Sequence, residues 1–182
     1  KGPYGHYFRV RDYLIPQVDA FFRDVLERNG SIRDFIDSDY TFMNNLLGEL
    51  IYKQKVVGEN LRKVTLEDQR RGGLLTMPAI MTMTANGVDT SPIVRGVFVL
   101  ENILGTPPPP PPPDVEPLSP DLRGVKSLKE QMAMHRNQQV CSSCHQKIDP
   151  MGFALESFDP IGRWRDHYPK IDKKAKQVAP ID

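Results

Sequence analysis

A run of seven consecutive prolines, Pro107–Pro113, limits the folding of this chain more than any other feature. Proline has no amide hydrogen and its ring fixes φ, so such a run fits neither a helix interior nor a central strand. It predicts an extended polyproline II rod of about 20 Å, at about 3.1 Å per residue. A spacer needs only this stiffness, so it is favoured over a docking site for an SH3-like or WW-like module.

Charge and hydropathy exclude several classes of protein. The 182 residues include 24 basic and 23 acidic side chains, a net charge of +1, whereas a nucleic-acid-binding surface needs a clear basic excess. No apolar run approaches the roughly 20 residues that span a bilayer, so no transmembrane segment is predicted. Because the chain starts at Lys1 without an initiator Met and ends at Asp182 in a polar stretch, we expect a fragment of a longer protein.

Residues 1–56 are predicted to form two helices with apolar faces. Pro16 suits the first position of the first helix, and Asn29–Gly30 supplies its end. The second helix is expected to reach about Ile51. The apolar residues at helical spacing are Val18, Phe21, Phe22, Val25 and Leu26 in the first helix and Tyr40, Met43, Leu47 and Leu50 in the second.

Helical signals continue on both sides of the proline run. Met77–Pro78 opens a short predicted helix, and Ser91–Pro92 caps a more regular one that ends at Leu104, before Gly105. Its expected core stripe is Ile93, Val97, Leu100 and Leu104. Beyond the prolines, the capping box that starts at Ser127 predicts a helix over 128–136. With little strand pattern elsewhere, the expected fold class is mainly α.

Residues 141–145 read Cys-Ser-Ser-Cys-His, the C-x-x-C-H pattern of covalent haem attachment. Two thiols three positions apart on a helical turn, Cys141 and Cys144, can each form a thioether with one porphyrin vinyl group. The imidazole of His145 then lies beneath the iron as proximal ligand. The chain has only these two cysteines, so no disulfide framework competes for them. The motif predicts one covalent haem c.

Three other interpretations of the cysteine pair stay open, the simplest being a chance match or a buried structural pair. A thioredoxin-like redox pair follows a strand within a βαβ pattern, which this sequence lacks. A Cys₂His₂ zinc site could combine the cysteines with two histidines, but the paired-histidine spacing of zinc modules is absent. The histidines available for such a site are His6, His135, His145 and His167.

Four ordered blocks of sequence surround these features. They read RRGGLLT (70–76), TSPIVRG (90–96), LENILGT (100–106) and HRNQQVCSSCHQKIDPMGFALESFDPIGRWR (135–165). The blocks resemble consecutive domains of unknown function in the large planctomycete-type cytochrome c proteins. Residues 14–56 resemble one such domain, and 64–165 resemble the next, which carries haem.

The resemblance implies a region toward the C-terminal end of a large exported protein, with another cytochrome domain upstream and one further domain downstream. A periplasmic or otherwise extracytoplasmic location follows, with redox proteins or other haem domains of the same polypeptide as partners. The expected organisation is a helical scaffold (1–56), a helical segment packing on the haem module (57–105), a Pro-rich linker (106–121), the c-type haem-binding module (122–170) and a polar tail (171–182).

The second axial ligand of the iron has several candidates. His135 is the first choice, because its predicted helix can fold back over the ring. Met151, and Met77 with Met81, are alternatives, although a Met at helical spacing is more often core packing than ligand. Two axial side chains favour electron transfer, whereas an open iron allows peroxide or oxygen chemistry.

Other polar residues are candidates for contacts with the haem propionates, whose negative charges need donors where they are buried. These are Arg95, Arg163, Trp164 and Arg165. Acid–base work by Asp149, Glu156 or Asp159 is less favoured, because Asp149–Pro150 and Asp159–Pro160 also start ordinary turns.

The function favoured by the sequence is electron transfer through one haem within a larger exported redox protein or complex. A haem-dependent enzyme, either a peroxidase or a dehydrogenase component, is one alternative. A structural subunit of a larger redox complex is another.

Overall fold

The computed structural model describes residues 5–87, 89–110, 139–168 and 181. These residues divide between two compact units. The first comprises Lys1–Met83 with Phe158–Trp164, and the second comprises Thr84–Ser157 with Arg165–Asp182. Helices dominate and the one sheet among the described residues has two strands, which confirms the mainly α fold class. The five-part division expected from the sequence stays a prediction.

The first unit is built on α1, Tyr7–Glu27. This helix begins well before its predicted start, so the placement of Pro16 at a first helical position was wrong: Pro16 lies inside the helix. Because Pro16 is exposed, water can take the carbonyl bond that the missing N–H leaves open. Asn29, with a φ of 51°, follows the end of the helix as predicted.

Only part of the predicted apolar face of α1 is buried. Phe21 and Val25 lie in the core, whereas Phe22 and Leu26 are exposed, so the prediction was wrong for these two. Neighbouring residues are about 100° apart on a helix, and Phe22 therefore leaves the arc that Phe21 occupies. The buried arc consists of Val10, Leu14, Gln17, Phe21 and Val25.

A two-stranded antiparallel sheet replaces the start of the second predicted helix. Its strands are β1, Tyr40–Met43, and β2, Arg62–Thr65, with Tyr40 opposite Thr65 and Met43 opposite Arg62. The helix α2 begins only at Asn45–Leu47 and continues as a π-helical turn over Gly48–Tyr52.

Asn44 explains this boundary. Its side-chain oxygen accepts a hydrogen bond from the amide of Leu47 at 3.0 Å, which satisfies one free donor of the first helical turn. The helix predicted over Tyr40–Met43 was therefore wrong, but the burial expected of that region is confirmed. The four predicted core residues, Tyr40, Met43, Leu47 and Leu50, are all buried.

The helix α3, Pro78–Met83, completes the described helices of the first unit and packs against α1. Its start at Pro78 agrees with the sequence prediction. Met77 and Met81 are both buried at this point of the unit.

The second unit contains α4, Pro92–Phe98, which continues as a π-helical turn over Val99–Ile103. Ser91 caps α4 as predicted, and Gly105, with a φ of 62°, follows its end. The expected regularity up to Leu104 was wrong. The wider π turn rotates the residues that follow it, and Leu104 of the predicted stripe is exposed, whereas Val99 at the start of the turn is buried.

The second helix of this unit, α5, spans Gln139–Phe153 and includes Pro150, which the sequence had suggested as a turn. It runs antiparallel to α4, because Gly96 lies against Ile148 and Gly152 against Pro92. A Cβ at either glycine would collide with the backbone of the opposite residue. The two backbones can therefore approach this closely only where side chains are absent.

Some predicted elements lie outside the described residues, namely the helix over 128–136 with Ser127 and His135, and Pro111–Pro113. Pro107–Pro110 form neither helix nor strand. Within the described ranges, no helix combines the length and the apolar character that crossing a membrane requires.

Replacing Gly152 by Ala is expected to lower the free energy of unfolding by about 2 kcal/mol, because the added methyl group forces α4 and α5 apart. Urea denaturation followed by circular dichroism measures this effect. Gln146→Ala, at an exposed position of the same helix, serves as control and should change stability by less than about 0.5 kcal/mol. Equal effects of the two substitutions would contradict the close packing.

Candidate functional site

The helix α5 places the C-x-x-C-H motif on adjacent positions of one helical surface. Residue 141 is three positions from 144 and four from 145, spacings that bring two positions of a regular helix to the same face. Cys144 is partly buried and carries a free thiol. The sequence prediction of a helix around the two cysteines is confirmed, and this helix extends further than expected.

His145 and Asp149 form the most directed contact of the site. The imidazole Nδ1 of His145 lies 2.8 Å from Oδ1 of Asp149, one helical turn further along α5. His145 is 8% exposed and Asp149 is 4% exposed, so the contact is shielded from water. A carboxylate oxygen accepts, and therefore Nδ1 is the donor of this hydrogen bond.

The same kind of contact is common at histidines that bind metals. Ligating histidines usually donate their second ring N–H to a carboxylate or carbonyl, which fixes the tautomer and the ring orientation. The donor set of α5 therefore fits a haem, with Cys141 and Cys144 as thioether positions and His145 as an iron ligand. Among the described residues, no group of three or more His, Cys, Asp or Glu side chains could hold a metal ion by itself.

A buried charge cluster lies at the end of α5. Glu156 is fully buried, and its carboxylate accepts hydrogen bonds from Arg95 Nη1 at 3.1 Å and Thr90 Oγ1 at 2.6 Å. Arg95 is also fully buried and donates from Nη1 to the carbonyl of Leu155 at 2.7 Å. Burial raises the pKa of the Glu156 carboxyl, and the positive charge of Arg95 counters part of this rise.

Arg165 extends this cluster to the segment after α5. Its guanidinium donates to Asp89 Oδ1 at 2.9 Å and to Thr90 Oγ1 at 2.7 Å, and it lies over the ring of Tyr168. Burial, followed by the charge of Glu156, raises the pKa of the Tyr168 hydroxyl. Arg95 and Arg165, both candidates for propionate contacts, thus belong to the same unit as α5 and pair with Glu156 there.

The other two propionate candidates, Arg163 and Trp164, belong to the first unit. Arg163 donates from Nε to Asp159 Oδ2 at 2.7 Å. Trp164 packs edge-to-face on Phe158, with ring centroids 5.3 Å apart, and the guanidinium carbon of Arg70 lies over the Trp164 ring, 4.0 Å from its centroid. Asp159–Pro160 forms the turn that the sequence suggested, since Gly162 donates its N–H to the Asp159 carbonyl.

The candidate axial ligands are distributed over both units. Met151 lies on α5 itself, six residues beyond His145. Met77 and Met81 are buried in the first unit, and His135 lies outside the described residues.

Asp149 is the site residue whose role the sequence analysis missed. It follows His145 by four positions, a spacing that brings two side chains together on a helix. The following Pro150 suggested a turn instead, and a turn would have separated the two side chains. The i, i+4 spacing was the available signal, provided that the helix was known to continue.

Replacing Glu156 by Gln is expected to reduce the free energy of unfolding by about 3 kcal/mol, because Arg95 then keeps a buried charge without its carboxylate. Thermal or urea unfolding checks this value. Glu101→Gln, at an exposed position, is the matched control and should be nearly neutral. An unchanged Glu156→Gln protein would contradict a structural role of this ion pair.

Comparison with known proteins gives one family. The family PSCyt3, described as a protein of unknown function (DUF1588), matches residues 71–168, which is more than half of the chain and includes α3, α4 and α5. No curated protein and no solved structure matches the chain significantly. The resemblance stated for residues 14–56 stays a prediction. The chain therefore belongs to PSCyt3 (DUF1588), the planctomycete cytochrome domain family.

Proposed function

We propose that this chain is a c-type cytochrome module that binds one haem covalently and transfers electrons within a larger exported redox protein or complex. The contact between His145 Nδ1 and Asp149 Oδ1 at 2.8 Å is the observation that carries the proposal. It fixes the orientation of an imidazole that directly follows a cysteine pair at thioether spacing in the sequence. Membership of a cytochrome-named family supports the same assignment.

Each of the four site residues of α5 has a separate role in binding haem. Cys141 and Cys144 hold the porphyrin edge through two thioethers, and His145 binds the iron through Nε2. When bound, the haem supplies an iron that gains and loses one electron. Asp149 keeps the proton of His145 on Nδ1, so that the ring stays oriented toward the metal.

The tight contact of α4 with α5 supports this role of the site. Gly96 and Gly152 allow the helices to pack at van der Waals contact, which restrains the rotation of α5 about its axis. A rigid attachment helix reduces the structural change that accompanies each electron transfer. The side chains that would hold the haem therefore lie on a packed element rather than on a loop.

For the sixth coordination position we propose His135, with Met77, Met81 and Met151 as alternatives in that role. A histidine or methionine there blocks access of small molecules to the iron and favours electron transfer over catalysis. The proposed partners are redox proteins or other haem domains of the same polypeptide, and the proposed location is periplasmic or otherwise extracytoplasmic. Arg95, Arg163, Trp164 and Arg165 stay candidates for propionate contacts.

Covalent haem is expected to stay with the polypeptide when the protein, expressed with a haem-attachment system, is denatured in acidified organic solvent. The pyridine haemochrome spectrum and the intact mass should show one haem on two thioethers. Cys144→Ser should leave one thioether, and the double change of Cys141 and Cys144 to Ser should leave none. Ser142→Ala is the control within the motif and should load haem normally. Release of all haem from the unmodified protein would contradict the proposal.

His135→Ala is expected to convert a six-coordinate, low-spin iron into a form that binds cyanide or carbon monoxide at once, because it vacates the distal position. Absorption spectra with each added ligand measure this change. His167→Ala, at an exposed histidine, serves as control. Unchanged low-spin bands in His135→Ala would move the assignment to one of the methionines. Immediate ligand binding by the unmodified protein would favour a haem-dependent enzyme instead.

A further inference from the structure

The environment of Asp149 is unusual for a carboxylate on a helix. Asp149 is only 4% exposed, and a buried carboxylate is costly unless it is hydrogen-bonded to a donor. His145 supplies such a donor at 2.8 Å. An ordinary i, i+4 pair on a helix surface contributes a few tenths of a kcal/mol and needs no burial. Burial of both groups thus points to a property of His145 rather than to helix stability alone.

A carboxylate at this distance changes the electronic character of the imidazole. The proton on Nδ1 is shared with Asp149, and electron density on the ring rises toward that of an imidazolate. The remaining nitrogen, Nε2, then becomes a stronger electron donor to a bound metal. A stronger electron donor stabilises the more positively charged state of that metal.

Shielding from water strengthens this effect. The local dielectric constant around the buried contact is lower than that of bulk water, so the charge of Asp149 acts more strongly on the imidazole. The contact also lies within one continuous helix, since both residues belong to α5. Its geometry therefore does not depend on the movement of a loop.

We propose that Asp149 is a positioning residue that lowers the reduction potential of the haem iron by donating negative charge through the Nδ1–H of His145. This inference rests on the proposed function. It places the reduction potential of the haem iron in the lower part of the range found in c-type cytochromes. Fe(III) is the state that Asp149 stabilises. The module then passes electrons readily to an acceptor of higher potential and takes them only from a donor of still lower potential.

Spectroelectrochemical titration of the haem-loaded chain tests the inference. Asp149→Asn keeps the size of the side chain and an oxygen acceptor but removes the charge. We expect the ratio of Fe(II) to Fe(III) at a fixed potential to rise about tenfold, which corresponds to about +59 mV for one electron. Asp166→Asn removes the same charge at an exposed position of the same unit and should leave the potential nearly unchanged.

A second measurement needs no variant. In the reduced, diamagnetic protein, the ¹⁵N chemical shifts of the His145 ring should show a proton on Nδ1 with the strong hydrogen bond that a carboxylate accepts. A neutral, weakly bonded Nδ1–H in a protein with covalent haem would overturn the inference, as would equal potentials of Asp149→Asn and the unmodified protein. Either result leaves the proposed function intact. Absence of covalent haem from the unmodified protein would instead refute the proposed function and this inference together.

Discussion

The close approach of α4 and α5 is the constraint on which the second unit depends. Gly96 lies against Ile148 and Gly152 against Pro92, at separations that no side chain would allow. Such an approach fixes both the register of the two helices and the rotation of α5. His145 and Asp149 lie at positions on the same side of α5 as Ile148 and Gly152, and both are buried.

Buried charge secures the ends of the same helices. Arg95 on α4 and Glu156 just beyond α5 are both fully buried, and their ion pair is completed by Thr90 and Arg165. Removing a charge from water is costly, and the hydrogen bonds from Thr90 and Arg165 to Glu156 offset part of this cost. The need for these hydrogen bonds selects one arrangement of the chain segments and makes the α4–α5 contact specific.

The first unit also contains buried polar and charged side chains that have partners in its core. The guanidinium of Arg71 lies between the rings of Tyr52 and Phe158, 4.9 Å from each centroid. Burial lowers the pKa of Arg71, and the aromatic faces compensate in part for the lost hydration. Gln17 donates to the hydroxyl groups of Thr41 and Tyr52 in the same core. Both units thus contain polar groups whose partners come from distant positions of the sequence.

The sequence by itself determined the elements whose signals are local. These were the mainly α class, the cap at Ser91 and the helical turn that holds Cys141, Cys144 and His145, because capping and attachment motifs depend only on neighbouring residues. Tertiary structure determined the secondary structure of segments whose periodicity was ambiguous or whose local signals conflicted. A spacing of three residues suited a helix at Tyr40–Met43, yet pairing with β2 made it a strand. Pro150 suggested a turn, yet packing against α4 kept α5 continuous through it and so brought Asp149 to His145. The strand β2, which pairs with Tyr40–Met43, is distant in sequence, and Pro150 is a local signal for a turn rather than for a continuous helix. Local patterns therefore could not choose between helix and strand or between helix and turn, and burial in the folded protein made the choice.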